Sequence, residues 1–186
     1  MNVYDFDDTI YDGDSTLDFF RFCHKNYKKT YLALPRAVFG FGLFTLRIIS
    51  KSAFKQHFFS FLKYVPDIDT AVSSFWDKNG CKIRSWYLEQ KKNCDVIISA
   101  SPEFLLSPIC QKLGVKLIAS RVDKYTGVFT GENCYGMEKV RRLEAEGIIT
   151  RIDEFYSDSL SDKPLVGLAK NAYFIKGGKI TVWTVD

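Results

Sequence analysis

The sequence predicts an α/β fold: a doubly wound parallel sheet with a long α-helical segment inserted after the first strand. Three observations predict it. A short apolar opening, "MNVYDF", ends among carboxylates. Residues 12–91 then carry helical periodicity almost throughout. Beyond them, β-branched apolar runs alternate with helical stretches, the pattern of consecutive parallel strands joined by helices.

Taken in order, "MNVYDF" reads as a short buried strand. "DSTLDFFRFCHKNY" offers Asp14 or Ser15 as N-cap, followed by Leu17, Phe20 and His24 at helical spacing. "KTYLALPRAVFGFGLFTLRIIS" is helical but interrupted by Pro35, Gly40 and Gly42, and three further stretches up to "CKIRSWYLEQKKN" continue the helical reading. "CDVIISAS" is a continuous apolar run of the kind buried on both faces of a parallel sheet. "PEFLLSPICQKLG" is a helix with Pro102 near its first turn and Gly114 as C-cap candidate. "VKLIAS" is a strand, "RVDKYTGVFTGE" a small β excursion with two Thr-Gly turns, and "GMEKVRRLEAEG" a helix. "DEFYSDS" gives a strand and turn, "DKPLVGLAK" a helix, and "NAYFIKGGKITVW" strand and turn signals. The expected division is a core of residues 1–11 and 92–186 around a cap of residues 12–91.

At 186 residues with 46% hydrophobic content, the chain affords a substantial core, which excludes global disorder. Five scattered cysteines without a CxxC pair, and two histidines without ligand spacing, argue against a disulfide framework or a zinc site. Reduced thiols and an acidic N-terminus without a signal-peptide pattern lead to an expected cytoplasmic location. The net charge of +4 conceals a strong asymmetry. Residues 1–20 hold six acids and no base, whereas residues 21–92 hold fourteen bases and four acids. The basic segment is either a surface for an anionic partner or a solvated lysine-rich face. No nucleic-acid-binding motif accompanies it.

In open α/β sheets, reactive groups collect beyond the carboxyl ends of the strands. The first strand delivers Asp5 there, and "YSDSLSD" brings Asp158 and Asp162 to the end of a later strand. Carboxylates gathered in this way repel one another, so a cation is expected among them. Oxygen-only ligands select a hard ion, most simply Mg²⁺.

Four stretches in order carry a resemblance. "DFDDT" is similar to the DxDxT signature of the haloacid dehalogenase-like hydrolases. "DVIISAS", ending near Ser99, resembles their second motif, Lys139 in "GMEKVRRL" the third, and "YSDSLSD" the fourth. The helical insert stands where the phosphoserine phosphatase-like branch carries its cap. The resemblance implies a Rossmann-like core and a phosphomonoester hydrolase. In it Asp5 is the nucleophile that takes the phosphoryl group, and Asp7 is the acid and base. Asp5, Asp7 through its backbone carbonyl, Asp158 and Asp162 are the implied metal site, Asp162 either binding the metal directly or orienting its waters. Ser99, the Ala100 N–H and Lys139 are the implied phosphate site, and Thr9 buttresses the loop by hydrogen bonding. Asp8 departs from the glycine common at its place in the family. The ordinary readings stay beside these: Ser99 as a strand-end serine, Lys139 as a solvated helix lysine next to Arg141 and Arg142, and Asp12 and Asp14 as turn and cap residues.

The stretch "YLALPRAVFGFGLFTLRII" is broken only by Arg36 and Arg47 and is too short for a membrane span of roughly 20 apolar residues. It is either an interfacial helix flanked by basic residues on an anionic membrane or a hydrophobic helix packed within the cap. "LIASRVDKYTGVFTGENCYGMEKVRRLE" with "YSDSLSDKPLV" is similar to the phosphatidylglycerophosphatase C group, which implies a lipid phosphate as one candidate substrate. A soluble phosphoserine-like metabolite and a non-catalytic metal- and phosphate-binding role are the rival readings.

Overall fold

The computed structural model describes residues 1–148 and 152–184. The expected core segment also runs through residues 149–151 and 185–186, which lie outside the described residues.

Strand β1 (Asn2–Tyr4) is followed by helices α1 (Ser15–Asn26), α2 (Leu34–Thr45), α3 (Lys51–Phe58), α4 (Ile68–Asn79) and α5 (Ser85–Gln90), joined in part by 3₁₀ turns. Then come β2 (Val96–Pro102), α6 (Glu103–Leu113), β3 (Lys116–Ser120), α7 (Met137–Ala145), β4 (Glu154–Ser157) and α8 (Lys163–Val166). The hairpin β5 (Asn171–Lys176) and β6 (Lys179–Val182) follows. The six strands form one sheet in the order β3-β2-β1-β4-β5-β6. The five from β3 to β5 are parallel, and β6 adds an antiparallel edge that the sequence pattern did not resolve. Its turn is Gly177-Gly178, both at positive φ, which a two-residue hairpin of matching twist requires.

The two-residue period of the strands sorts side chains between two buried layers. Val3, Val96, Ile98 and Phe155 face the layer that includes Val140, Leu143 and Leu165 of α7 and α8. Tyr4, Ile97 and Tyr156 face the other, where Phe19, Phe61, Phe75, Trp76 and Tyr87 of the helical insert join Leu105 and Ile109 of α6. The insert thus shares one continuous apolar cluster with the sheet. The Trp76 indole N–H donates to the Leu105 carbonyl at 2.6 Å and ties α4 to α6.

The helix punctuation is chemical. Asp14 caps α1 by accepting from the Leu17 N–H at 2.8 Å, and Ser50 and Asp67 cap α3 and α4 in the same way. Gly114 closes α6 at φ 68, as its position in the sequence led one to expect. The buried stripe of α1 is offset from the expected one. Phe19 and Cys23 are buried at i, i+4, and of the expected residues His24 is buried while Leu17 and Phe20 are only half-buried. Pro35 opens α2 rather than breaking it. Gly40 allows α2 to meet α3: an added Cβ there would lie 2.4 Å from the His57 Cβ.

The stretch after β3 is a tight turn closed by one bridge, Val122 to Phe129, rather than a pair of strands. Gly127 of this turn, at φ 73, lies so close to Phe59 that an added Cβ would sit 2.6 Å from the Phe59 carbonyl oxygen. Lys124 of the same turn pairs with Asp69 of α4.

Candidate active site

The chain reverses direction across the sheet between β1 and β4, so the carboxyl ends of these neighbours form the switch point where ligands of such folds bind. Asp5 follows β1 directly, its N–H bonded to the Tyr156 carbonyl at 2.9 Å, and Asp158 follows β4 directly. Both line a cavity of about 430 Å³ together with Asp7, Asp8, Asp14 and Lys139.

Lys139 enters from the first turns of α7 and is 2% exposed. Its Nζ lies 3.0 Å from Asp5 Oδ1 and 2.6 Å from Asp162 Oδ2. Burial penalises this ammonium, yet the Asp5 and Asp162 carboxylates outweigh the penalty and hold it above the ordinary lysine range. Burial pushes the Asp5 carboxyl up to about 7 despite the pull of Lys139, with Asp162 and Asp7 adding to the rise. The solvated-lysine reading of Lys139 is therefore overturned.

Asp7 is held through both oxygens. The Ser15 N–H donates to Oδ1 at 2.6 Å and the Ser101 hydroxyl donates to Oδ2. Burial, followed by the Asp14 charge, moves its carboxyl up to about 6 against these hydrogen bonds. Thr9 is fully buried. Its hydroxyl accepts from the Asp158 N–H at 3.0 Å and reaches Asp158 Oδ1 at 3.3 Å, linking the loop after β1 to the end of β4. Burial, with Asp8 second, raises the Asp158 carboxyl. Asp8 stands at φ 53, with its N–H bonded to the Gly13 carbonyl at 2.9 Å. This is the left-handed region that glycine favours and aspartate tolerates, which accounts for the departure at this position.

Two residues sit differently from their expected places. Asp162 is 1% exposed and stands behind Lys139, with its Oδ2 also accepting from Ser157 Oγ at 2.8 Å. It orients the lysine rather than lining the cavity. Ser99 is likewise buried, with its Oγ accepting from the Ser101 N–H at 3.0 Å, and the serine of β2 that lines the cavity is Ser101. A register shift between Ser99 and Pro102 produces this exchange. Ala100 does line the cavity, and its carbonyl accepts from Lys55 Nζ at 2.9 Å. Lys51 and Lys55, read in the sequence only as bases flanking the apolar stretch, line the cavity too, as do Ser159, Ser161, Tyr135, Phe54, Phe58 and Phe59.

Among the described residues, no three acidic, histidine or cysteine side chains gather closely enough to cage an ion unaided. Mg²⁺ ordinarily takes only one or two carboxylates and fills its shell with water and phosphate oxygens. The oxygen-only set of Asp5, Asp158 and the Asp7 carbonyl fits that habit. Asp162 Oδ1 is a buried oxygen without a protein partner beside this set.

A mostly parallel sheet with carboxylates and a buried lysine gathered at its switch point defines a class: a Rossmann-like α/β core carrying its acids beyond the strand ends. The pattern of the haloacid dehalogenase-like hydrolases matches residues 3–166, and the chain belongs to that family. It is 32% identical over 104 residues to protein CicA of Caulobacter vibrioides, a match covering 52% of this chain and 46% of that protein. The chain is thus aligned with about half the length of that relative. Among solved structures, a protein of unknown function from Bordetella pertussis superposes with a TM-score of 0.74 at 18% identity, covering 92% of this chain and 87% of the other. A phosphoserine phosphohydrolase-like protein from Francisella tularensis gives 0.55 at 18% identity, covering 92% and 86%. These likenesses are of fold.

Proposed function

We propose that this chain is a Mg²⁺-dependent phosphomonoester hydrolase working through an aspartyl-phosphate on Asp5. In this reading the helical segment 12–91 is the cap over a core of residues 1–11 and 92–186. The observation that carries it is the convergence of Asp5, Asp7 and Asp158 on one cavity, with Lys139 bonded to Asp5. An Asp5 oxygen attacks phosphorus, the bond to the leaving oxygen breaks, and Asp7 gives that oxygen its proton. A water then attacks the acyl-phosphate as Asp7 takes back a proton, releasing phosphate and restoring Asp5. Lys139 balances charge between nucleophile and phosphate, and Ser101 with the Ala100 backbone lies where the phosphoryl oxygens would sit. Asp5, Asp158 and the Asp7 carbonyl would hold Mg²⁺, which offsets the repulsion between carboxylate and phosphate.

The test is hydrolysis of p-nitrophenyl phosphate by purified protein. Activity should need Mg²⁺, stop with EDTA, and fall by about 10³-fold or more in Asp5→Asn. Full activity in Asp5→Asn excludes the mechanism, and tight phosphate binding without turnover in the unaltered protein marks a non-catalytic module.

For the substrate, a lipid phosphate such as phosphatidylglycerophosphate is the reading that the cap surface favours. Between residues 19 and 66 there is no acidic residue, while nine lysines and arginines occur. Val38, Phe39 and Leu46 are 68%, 61% and 71% exposed, and Tyr31, Leu32, Phe41 and Ile48 stand out with them. No helix among the described residues is long and apolar enough to cross a membrane. An apolar face ringed by cations suits the surface of an anionic bilayer, where each base adds about 1 kcal/mol. Co-sedimentation with anionic vesicles that weakens as salt rises is the expected result. A soluble, phosphoserine-like metabolite is the substrate reading if the protein ignores vesicles.

A further inference from the structure

Resting on the phosphatase reading of the cavity, we infer that Lys51 and Lys55 of the cap recognise a second negative charge on the substrate, carried by the leaving alcohol on an apolar stem. The two lysines stand at i, i+4 on α3, hence on one face, and both line the cavity. Among the described residues neither forms an ion pair with a carboxylate, in contrast to Lys139, which is engaged by Asp5 and Asp162. Two local rules are broken to keep them there. Like charges at this spacing repel. Lys51 also occupies the first turn of α3, where the helix dipole disfavours a cation. Such departures collect at functional positions.

The placement of each amine is specific. Lys55 Nζ is fixed by the Ala100 carbonyl at 2.9 Å and Asn133 Oδ1 at 3.3 Å, using two of its three donors. Ser120 Oγ lies within hydrogen-bond reach of the same two acceptors, at 3.1 and 3.0 Å, with one proton to give. Burial, and then the Lys51 charge, lower its pKa to about 8, so the amine stays charged at neutral pH. Lys51 Nζ lies 3.8 Å from the Tyr135 ring centroid. Phe54, Phe58, Phe59 and Leu17 supply the apolar wall beneath them. Asp8 and Asp14 line the same cavity, but Asp14 is spent on the α1 cap. Lys139 is thus engaged by Asp5 and Asp162, whereas Lys51 and Lys55, without carboxylate partners and beside the aromatic wall of the same cavity, are left for another anion.

Calorimetry on the full chain with Mg²⁺ and alkylphosphonates, which cannot be hydrolysed, tests this. A graded series of chain lengths is compared with the same chains ending in a carboxylate, as in a free metabolite, or in a methyl phosphodiester, as in a lipid headgroup. At one chain length an anionic end should tighten Kd by about tenfold or more, and the end group with the larger gain identifies the source. Lys51→Gln and Lys55→Gln should each cut that preference, and Lys55→Arg should retain it. Equal Kd values across all series in the unaltered protein overturn the inference, as does a preference undiminished in the Lys51→Gln/Lys55→Gln double variant. Turnover of the matched phosphate esters is followed in parallel. Selective binding without turnover would remove the enzymatic reading and leave the second-anion site standing.

Discussion

At the edge of the sheet, Lys139 lies buried between two carboxylates, Thr9 spans to Asp158, and Asp7 is gripped by Ser15 and Ser101. On the outer face of α2, by contrast, Val38, Phe39 and Leu46 stand in solvent. The first region has its polar groups matched by other parts of the chain, Asp162 Oδ1 excepted. The second leaves apolar groups uncovered, with cations around them. Removing Lys139 from the first leaves buried charges without their partner, whereas removing a side chain from the second disturbs little packing, the Phe39–His57 ring contact being the exception. The comparison separates where the chain invests its stability for chemistry from where it keeps a surface available for something outside itself.

The largest effect on the fold is expected at Lys139. Lys139→Met leaves Asp5 and Asp162 buried without their cation and should cost about 3–5 kcal/mol in denaturant unfolding. A variant as stable as the parent would show that the edge is not held together by charge. Next is Gly40→Ala, where the new Cβ must displace His57; a loss of about 1–3 kcal/mol is expected, because the α2–α3 contact is already closed. The triple change Val38→Ser, Phe39→Ser and Leu46→Ser should shift stability by only about 0.5 kcal/mol per site while abolishing vesicle co-sedimentation. Lost stability instead would mean that this face packs within the protein. The smallest effect belongs to Asp8→Gly, which relieves a left-handed aspartate; its thermal midpoint should stay level or rise slightly, whereas Asp8→Val should lower it.

The sequence was legible where local chemistry decides. Asp14 capping α1, Gly114 closing α6 and the apolar run of β2 all follow from rules that act within a few residues. The acids at the ends of β1 and β4 were legible because topology alone brings strand ends together. It was less legible where distant segments meet. Nothing local marks the register shift after Ser99, which gives Ser101 the place on the cavity wall. Lys55 owes its role to an approach by a helix forty-five residues away from the Ala100 carbonyl it meets. The face of α1 was misread because the helix is buried on more than one side, so a single amphipathic stripe did not describe it. The antiparallel edge strand β6 is fixed by a Gly-Gly turn, which the sequence marked as a turn without showing which way the next strand runs.

The contact between Gly127 and Phe59 has a consequence for how the cavity admits its ligand. A turn of the core leans on the backbone of the insert with no space for even a methyl group, and the Lys124–Asp69 pair lies along the same border. The insert therefore is not a door hung only by its two chain connections. It is latched along a second side, and widening the aperture means either breaking that latch or bending the α2–α3 hairpin beyond it.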